Sequence, residues 1–370
     1  MSDLREDLEK TGSSIVTAGE GLRVTPPSAA ALGRAVAVLR ARRLPVRVRG
    51  NGDAPVGPEP GSALLELTAL DRIAAVDGGT GIARVEAGCS VAALETATRR
   101  VGATLGPLLP SVRAGSVGAW LAGPTRGERG IPGSRRETAA LSVAAVLGDG
   151  RVAESRAAPR SATGPDLDHL ALGAGGRLCV IAAAWIRLFP ASPPLAFIWR
   201  APSVRAAAQV VEQLCVDRLA PARGFAGMDD GGAWLALSWE GPESARLHRD
   251  RAARVLAEKG WPTLAGDAMR AVRTSPDAQV IEIDACWEIL RGIADGASEM
   301  AFYGLHAGGA FASFARPGAA PEEAAALARA AGARVLAPRR LRDDPEPWRG
   351  SGGGPLWRRL VDALAVAEGA

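Results

Sequence analysis

The first residues whose types and spacing could do chemistry are Val46-Arg-Val-Arg-Gly-Asn-Gly-Asp-Ala-Pro55. An apolar run interleaved with arginine reads as a strand, and it breaks at once into a loop holding Gly50, Gly52 and Pro55. Glycines at a strand end let backbone N–H groups point at one spot with no side chain in the way, which is how proteins cradle phosphate oxygens. An isolated Gly-x-Gly is more often a tight turn between two strands, so its neighbourhood has to decide. A second glycine cluster stands at Ala114-Gly-Ser-Val-Gly-Ala-Trp-Leu-Ala122. Other reactive groups are sparse. Cys89, Cys179, Cys215 and Cys286 are scattered and form no C-x-x-C pair, so they read as neither a disulfide framework nor a metal site. His169, His248 and His306 stand at no ligand spacing.

The elements that position these residues follow from periodicity. Residues 1–22 are polar and are expected to be loosely held. Ser28 is an N-cap candidate for a helix whose apolar residues Leu32, Val36 and Leu39 recur at helical spacing through Arg43. Pro45 resets the chain into the strand at Val46. Short strands are expected at Ala63–Leu67, Ile73–Val76 and Ile82–Val85, the last two joined by the hairpin signal Asp77-Gly-Gly-Thr-Gly81. Ser90 should cap a helix bearing Val91, Leu94 and Val101, and the region from Gly102 to Gly133 is rich in Gly, Pro and Ser and contains the second glycine cluster. Strands at Leu141–Leu147 and Cys179–Leu188 flank a short helix at Asp166–Leu172. From Pro193 onward two successive βαββαβ-like halves are legible: strand, helix, hairpin, helix, and then the same order again from Val280 to Leu336. Gly350-Ser-Gly-Gly-Gly354 precedes a last amphipathic helix, Leu356–Ala365.

Composition narrows the class. The 370 residues are 47% hydrophobic and 23% charged, with a net charge of only +4, which is ordinary for globular domains. The basic residues are nearly all arginine. The cluster Arg34, Arg40, Arg42, Arg43, Arg47 and Arg49 reads as a solvated face, because no nucleic-acid motif accompanies it. No apolar run reaches the roughly 18 residues that a membrane span needs, and no signal peptide is recognisable. The expectation is a soluble chain in a reducing, cytoplasmic setting, with no direct membrane insertion.

Taken in order, the segments of the first 190 residues resemble the FAD-binding domain of the vanillyl-alcohol oxidase type, also called PCMH-type. Val46 to Pro55 stands where that family carries a glycine-rich pyrophosphate loop, and Arg84-Val-Glu-Ala-Gly88 resembles its "VxAG" strand end. Ala114 to Ala122 is similar to "TxGGxxA", and Gly127 with Ile131-Pro-Gly-Ser134 falls where a glycine and "YG" are found. Val146-Leu-Gly-Asp-Gly-Arg151 is similar to "VxxDGR", Gly164-Pro-Asp-Leu167 to "GYDL", and Leu172 to Ile181 to "GxxGTLGVI". The overall build is closest to the E-type subunit of glycolate oxidase, with looser similarity in the second half.

This resemblance implies an α+β fold: a PCMH-type FAD-binding domain of two α+β subdomains, then a small ferredoxin-like antiparallel cap. The implied division is a flexible N-terminus at 1–22, the FAD-binding domain at 23–192, a substrate or assembly cap at 193–340, and a linker with a C-terminal helix at 341–370. It implies FAD, held non-covalently because the 46–55 loop offers no His or Cys for a covalent bond. By resemblance, Gly50, Asn51, Gly52, Asp53, Gly115, Ser116 and Gly118 lie near the diphosphate and ribityl chain, and Gly176, Cys179, Val180 and Ile181 near the adenine or isoalloxazine. The implied partners are a sister flavoprotein subunit, an iron–sulfur subunit and a small 2-hydroxy acid, with membrane association only through such a complex.

The chain departs from the family pattern at Asp53, Ala119, Pro165 and Arg177. No catalytic residue is assigned; His306 and Tyr303 are the candidates in the second half, and Trp120 is notable for its place in a cofactor segment. Two readings therefore stay open: an FAD-dependent oxidoreductase subunit, and a scaffold of the same fold that has lost FAD.

Overall fold

The computed structural model describes residues 2–50, 58–106, 108, 110–123, 139–158, 166–191, 195–217, 219, 223–229, 231–239, 243–264, 281–285, 301–303, 310–315, 330 and 334–335. The chain divides into two compact units, the second built mainly on Ala191–Pro338.

The first unit starts with structure where the sequence suggests a loose polar segment. Helix α1 (Ser2–Glu9) is followed by a hairpin of β1 (Ser14–Ala18) and β2 (Gly21–Thr25). The reason is burial: Leu4, Leu8 and Ile15 are all below 9% exposed, and so are Leu22 and Val24. These few apolar side chains at helix and strand spacing are enough to anchor an otherwise charged stretch. Helix α2 (Ala29–Ala41) begins at Ser28, whose hydroxyl accepts from the Ala31 N–H at 3.1 Å. Strands β3 (Val46–Arg49) and β4 (Ala63–Glu66) complete a four-stranded sheet in the order β1-β2-β4-β3. Both β2 and β3 run parallel to β4, so α2 is the crossover between them. The arginine cluster makes local contacts. Arg34 donates to the Thr11 carbonyl, and Arg42, Arg47 and Arg49 pair with Asp7, Glu59 and Glu66.

A five-stranded antiparallel sheet follows, built from β5 (Ile73–Asp77), β6 (Ile82–Glu86), β8 (Ala140–Val146), β9 (Val152–Glu154) and β10 (Val180–Arg187). Its order is β5-β6-β10-β8-β9. In the β5–β6 turn the Asp77 carboxylate accepts from the Thr80 hydroxyl at 2.6 Å and from the Gly79 and Thr80 N–H groups. The Thr80 hydroxyl first, and then these N–H groups, hold Asp77 below the usual carboxylate range. Across the sheet Arg84 lies over the Trp185 ring and pairs with Glu154 at 2.9 Å.

Between β6 and β8 come α3 (Val91–Arg100), capped by Ser90, and β7 (Ala103–Thr104). Two short helices follow, α4 (Pro110–Ala114) and α5 (Val117–Ala122). Both lie in the region rich in Gly, Pro and Ser. Helix α6 (Leu167–Ala171) starts at Asp166, and β11 (Phe189–Pro190) pairs with β7. Two glycines bring α2 against the β8–β9 turn. A Cβ on Gly33 would stand 2.3 Å from the Gly150 carbonyl oxygen, and one on Gly150 would stand 2.5 Å from that of Gly33.

The second unit contains β12 (Leu195–Arg200), α7 (Val204–Val216), β13 (Arg223–Asp229), β14 (Gly232–Trp239), α8 (Glu243–Glu258) and β15 (Thr263–Leu264). The strands are all antiparallel in the order β13-β14-β12-β15. This is the ferredoxin-like βαββαβ arrangement. Strands β16 (Ile281–Ala285), β17 (Ala301–Tyr303), β18 (Ala310–Ala315) and β19 (Arg334–Val335) take the equivalent strand order, β17-β18-β16-β19. The edge strands β13 and β17, equivalent in the two repeats, lie beside each other. The α+β fold with antiparallel ferredoxin-like repeats is the one the sequence indicates. The expected helices at Pro321–Ala331 and Leu356–Ala365 and the 350–354 break fall almost wholly outside the described residues.

Candidate functional site

Three segments that are distant in sequence meet at the end of β3. Gly50 is buried there, and a Cβ on it would fall 1.9 Å from the Ser116 Oγ and 2.8 Å from its Cβ. Ser116 is fully buried at the start of α5, where its hydroxyl accepts from the Ala119 N–H at 3.2 Å. One residue pair back along β3, Val48 faces Gly176, whose φ of +78° a residue with a side chain rarely adopts. The loop carrying Gly176 is fixed to the other end of α5: the N–H groups of Gly173 and Gly175 donate to the Leu121 and Ala122 carbonyls at 2.9 and 2.7 Å. Thus the strand end, both ends of α5 and the 173–176 turn form one assembly.

The sequence reading places Gly50, Gly115, Ser116, Gly118 and Gly176 near one ligand, and the structure brings Gly50, Ser116 and Gly176 to β3. Gly115 and Gly118 serve differently from the free-N–H cradle expected of them. The N–H groups of Gly115, Val117 and Gly118 donate to the carbonyls of Val112, Cys89 and Ala87 at 3.1, 2.9 and 2.7 Å. A Cβ on Gly118 would meet Ala87 at 3.0 Å. These glycines dock α5 tightly onto the turn after β6, so their backbone donors are already engaged.

Cys179 lies just before β10, whose first residues Val180 and Ile181 pair with Val146 and Ala145 inside the sheet. Arg177, a departure from the family pattern, is exposed, so its side chain turns to solvent. Ala119 is half-buried on α5. Asn51, Gly52, Asp53, Pro165 and His306 lie outside the described residues, as do Gly127 and Ile131–Ser134. The 173–175 turn lies in the segment Leu172 to Ile181 that resembles the family, but of this turn only the neighbouring Gly176 is a site candidate from sequence. Its signal is the run Gly173-Ala-Gly-Gly176, three of whose residues have positive φ.

The two buried thiols are chemically quiet. Burial, reinforced by the Asp71 and Glu86 carboxylates, pushes Cys89 up to about 11, and burial alone pushes Cys179 up to about 11. The fold therefore holds these protons more tightly than the unfolded chain does. That contribution to stability is complete below the ordinary thiol value of 9.0 and is lost as pH rises towards about 11. At pH about 8 the thiolate is scarce, and iodoacetamide labelling followed by peptide mass mapping is expected to modify Cys89 and Cys179 only after unfolding. Native-state labelling at the rate of an exposed cysteine would show that the thiols are accessible instead.

Two features of the described residues bear on a cofactor. Gly50 lets the start of α5 pack against the end of β3, since a Cβ there would meet the Ser116 side chain. In addition, the indole N–H of Trp120, on α5, is buried with no hydrogen-bond partner among the described residues. Among those residues no group of three or more His, Cys, Asp or Glu side chains could hold a metal ion. No helix among them is long and apolar enough to cross a membrane.

Comparison with known proteins gives this arrangement a context. Residues 21–156 match the family model described as the FAD binding domain. An uncharacterised FAD-linked oxidoreductase of Escherichia coli, YgcU, is 30% identical over 132 residues, which are 36% of this chain and 27% of that protein. The D-lactate dehydrogenase of Archaeoglobus fulgidus is 31% identical over 153 residues, 40% of this chain and 34% of that protein. The chain thus spans about a third or less of these relatives. Among solved structures, an alkyldihydroxyacetonephosphate synthase superposes with a TM-score of 0.71 at 16% identity, covering 94% of this chain and 76% of that one. The xylooligosaccharide oxidase of Myceliophthora thermophila C1 superposes with a TM-score of 0.66 at 15% identity, covering 89% and 86%. The fold is that of the PCMH-type FAD oxidases, and over residues 21–156 the chain carries an FAD binding domain with homologues among FAD-linked oxidoreductases.

Proposed function

We propose that this chain is an FAD-dependent oxidoreductase subunit acting on a small 2-hydroxy acid, in the manner of the E-type subunit of glycolate oxidase. A sister flavoprotein and an iron–sulfur subunit are its proposed partners. The observation that carries the reading is the meeting of Gly50 and Ser116, both inside the matched segment 21–156, with Gly176 at β3. Similarity to a D-lactate dehydrogenase favours a 2-hydroxy acid as the substrate class.

FAD, when bound, supplies two-electron acceptor chemistry, while the protein binds and orients it. Gly50 lets Ser116 and the start of α5 pack against the end of β3, and Gly176 packs against Val48, so these three segments would hold the cofactor. The buried surroundings of α5 exclude water there. No described residue is assigned as a proton acceptor.

The experiment is direct. The purified chain is incubated with FAD, desalted, and its visible spectrum recorded; the retained flavin is then challenged anaerobically with glycolate or D-lactate, alone and with co-purified partners. The expected result is a yellow protein whose flavin band bleaches with a 2-hydroxy acid. A folded but colourless chain overturns the flavoprotein reading in favour of an FAD-free scaffold. A yellow chain that no 2-hydroxy acid bleaches, even with partners present, overturns the substrate class.

A further inference from the structure

Trp120 is 2% exposed, and its Nε1–H has no acceptor among the described residues. A buried donor left unmade is costly, and native proteins keep few of them. Trp239, in the second unit, shows the usual solution: its Nε1–H donates to the Leu219 carbonyl at 3.1 Å. Trp120 has no such carbonyl among the described residues.

Its place on α5 says which side of the helix needs the missing acceptor. Gly118 is pressed against Ala87. Trp120 follows two residues later, about 200° round the helix at 100° per residue, so it stands on the side turned away from that contact. The Trp120 backbone N–H donates to the Ser116 carbonyl at 2.9 Å, which places the indole one turn beyond the residue that touches Gly50. The next two residues, Leu121 and Ala122, accept from the 173–175 turn whose neighbour Gly176 meets Val48. The indole therefore belongs to the same assembly of β3, α5 and the 173–176 turn that the FAD-binding reading rests on.

We propose that the indole N–H of Trp120 is a hydrogen-bond donor to an acceptor atom of the bound cofactor. This rests on the FAD-binding reading above and adds a residue to it: the donor is unmet among the described residues because its acceptor arrives with the ligand. FAD offers such acceptors on both its diphosphate and its isoalloxazine halves.

The test compares the full-length wild-type chain with Trp120→Phe, which keeps a buried aromatic ring and removes the donor. FAD affinity is read by flavin fluorescence titration, and the Trp120 indole resonance, identified in a ¹⁵N spectrum by its loss in the variant, is followed as FAD is added. The expected result is FAD binding about tenfold weaker in the variant, with a downfield shift of the wild-type indole proton on FAD addition. Titration with ADP and with FMN then assigns the acceptor to one half of the cofactor. A purely packing role for Trp120 would move the unfolding midpoint of the variant and leave the wild-type indole resonance in place. Equal FAD affinity of the two chains together with an unmoved indole resonance overturns the proposal while leaving the FAD-binding reading intact. A wild-type chain that takes up no FAD overturns both. Trp120→Leu, which also lacks a donor, provides the same comparison should the Phe variant not fold.

Discussion

Gly50→Ala is expected to loosen FAD binding at least about tenfold and to destabilise the chain by about 2–4 kcal/mol, the sum of overpacking a buried contact and disturbing a helix cap. The added methyl would sit 1.9 Å from the Ser116 hydroxyl oxygen. That hydroxyl cannot simply rotate away without cost, because it is fully buried and accepts from the Ala119 N–H. The end of β3 and the start of α5 must then separate, and the segments that would hold the cofactor are the ones disturbed. Ser116→Ala is the matched control: it removes only the cap and should cost about 1 kcal/mol. Urea unfolding and flavin fluorescence titration measure both quantities. A Gly50→Ala protein with wild-type midpoint and wild-type FAD affinity would mean that the two segments do not meet as described.

Gly88→Ala should have the larger effect on stability and the smaller effect on the cofactor. A Cβ there would stand 1.8 Å from the Leu67 carbonyl oxygen, 2.8 Å from its carbon and 2.9 Å from the Leu70 oxygen. All three neighbours are backbone, and the side chains of Leu67 and Leu70 are buried at 3% and 1% exposure. The Gly88 N–H also donates to the Leu70 carbonyl at 2.7 Å, so relieving the clash breaks a short hydrogen bond. Packed backbone has no rotamer to change, and the expected loss is about 3 kcal/mol or more. Thermal unfolding of the apo chain checks the stability, while FAD affinity of the folded fraction should remain within about twofold of wild type, well under the tenfold that 1.4 kcal/mol represents. A variant that is stable but cannot bind FAD would give Gly88 a role at the cofactor instead.

These two glycines show where sequence is informative and where it stops. Gly50 and Gly88 both stand in segments that resemble an FAD-binding domain, yet one faces the Ser116 side chain at the start of α5 and the other faces the backbone at Leu67 and Leu70. A missing side chain is the same signal in both cases. Gly115 and Gly118 illustrate the ambiguity from the other side, since their N–H groups are engaged by Val112 and Ala87. What periodicity does carry is the order of elements. The caps at Ser28 and Ser90, the Asp77–Gly81 hairpin, the first βαββαβ half of the second unit and the strands of the second half stand where residue spacing puts them. The N-terminal helix and the short helices α4 and α5 escape notice for physical reasons. The first has few apolar residues to mark its face. The other two are five and six residues long and begin or carry Pro and Gly, so tertiary contacts rather than propensity hold them.

The place of β10 bears on how the first unit can come into being as the chain is made. In its sheet β10 is the middle strand, flanked by β6 and β8, yet it is the last of the five to be synthesised. Until Val180–Arg187 has emerged from the ribosome, β6 and β8 each present an open edge with no partner between them. A nascent chain holding only residues 21–156, the whole of the matched FAD binding segment, would therefore possess both flanks of the sheet and lack its keystone. Folding of this unit has to wait for a strand more than 90 residues downstream of its β6 neighbour, which ties the capacity to accept a cofactor to near completion of the unit rather than to completion of the motif-bearing segment.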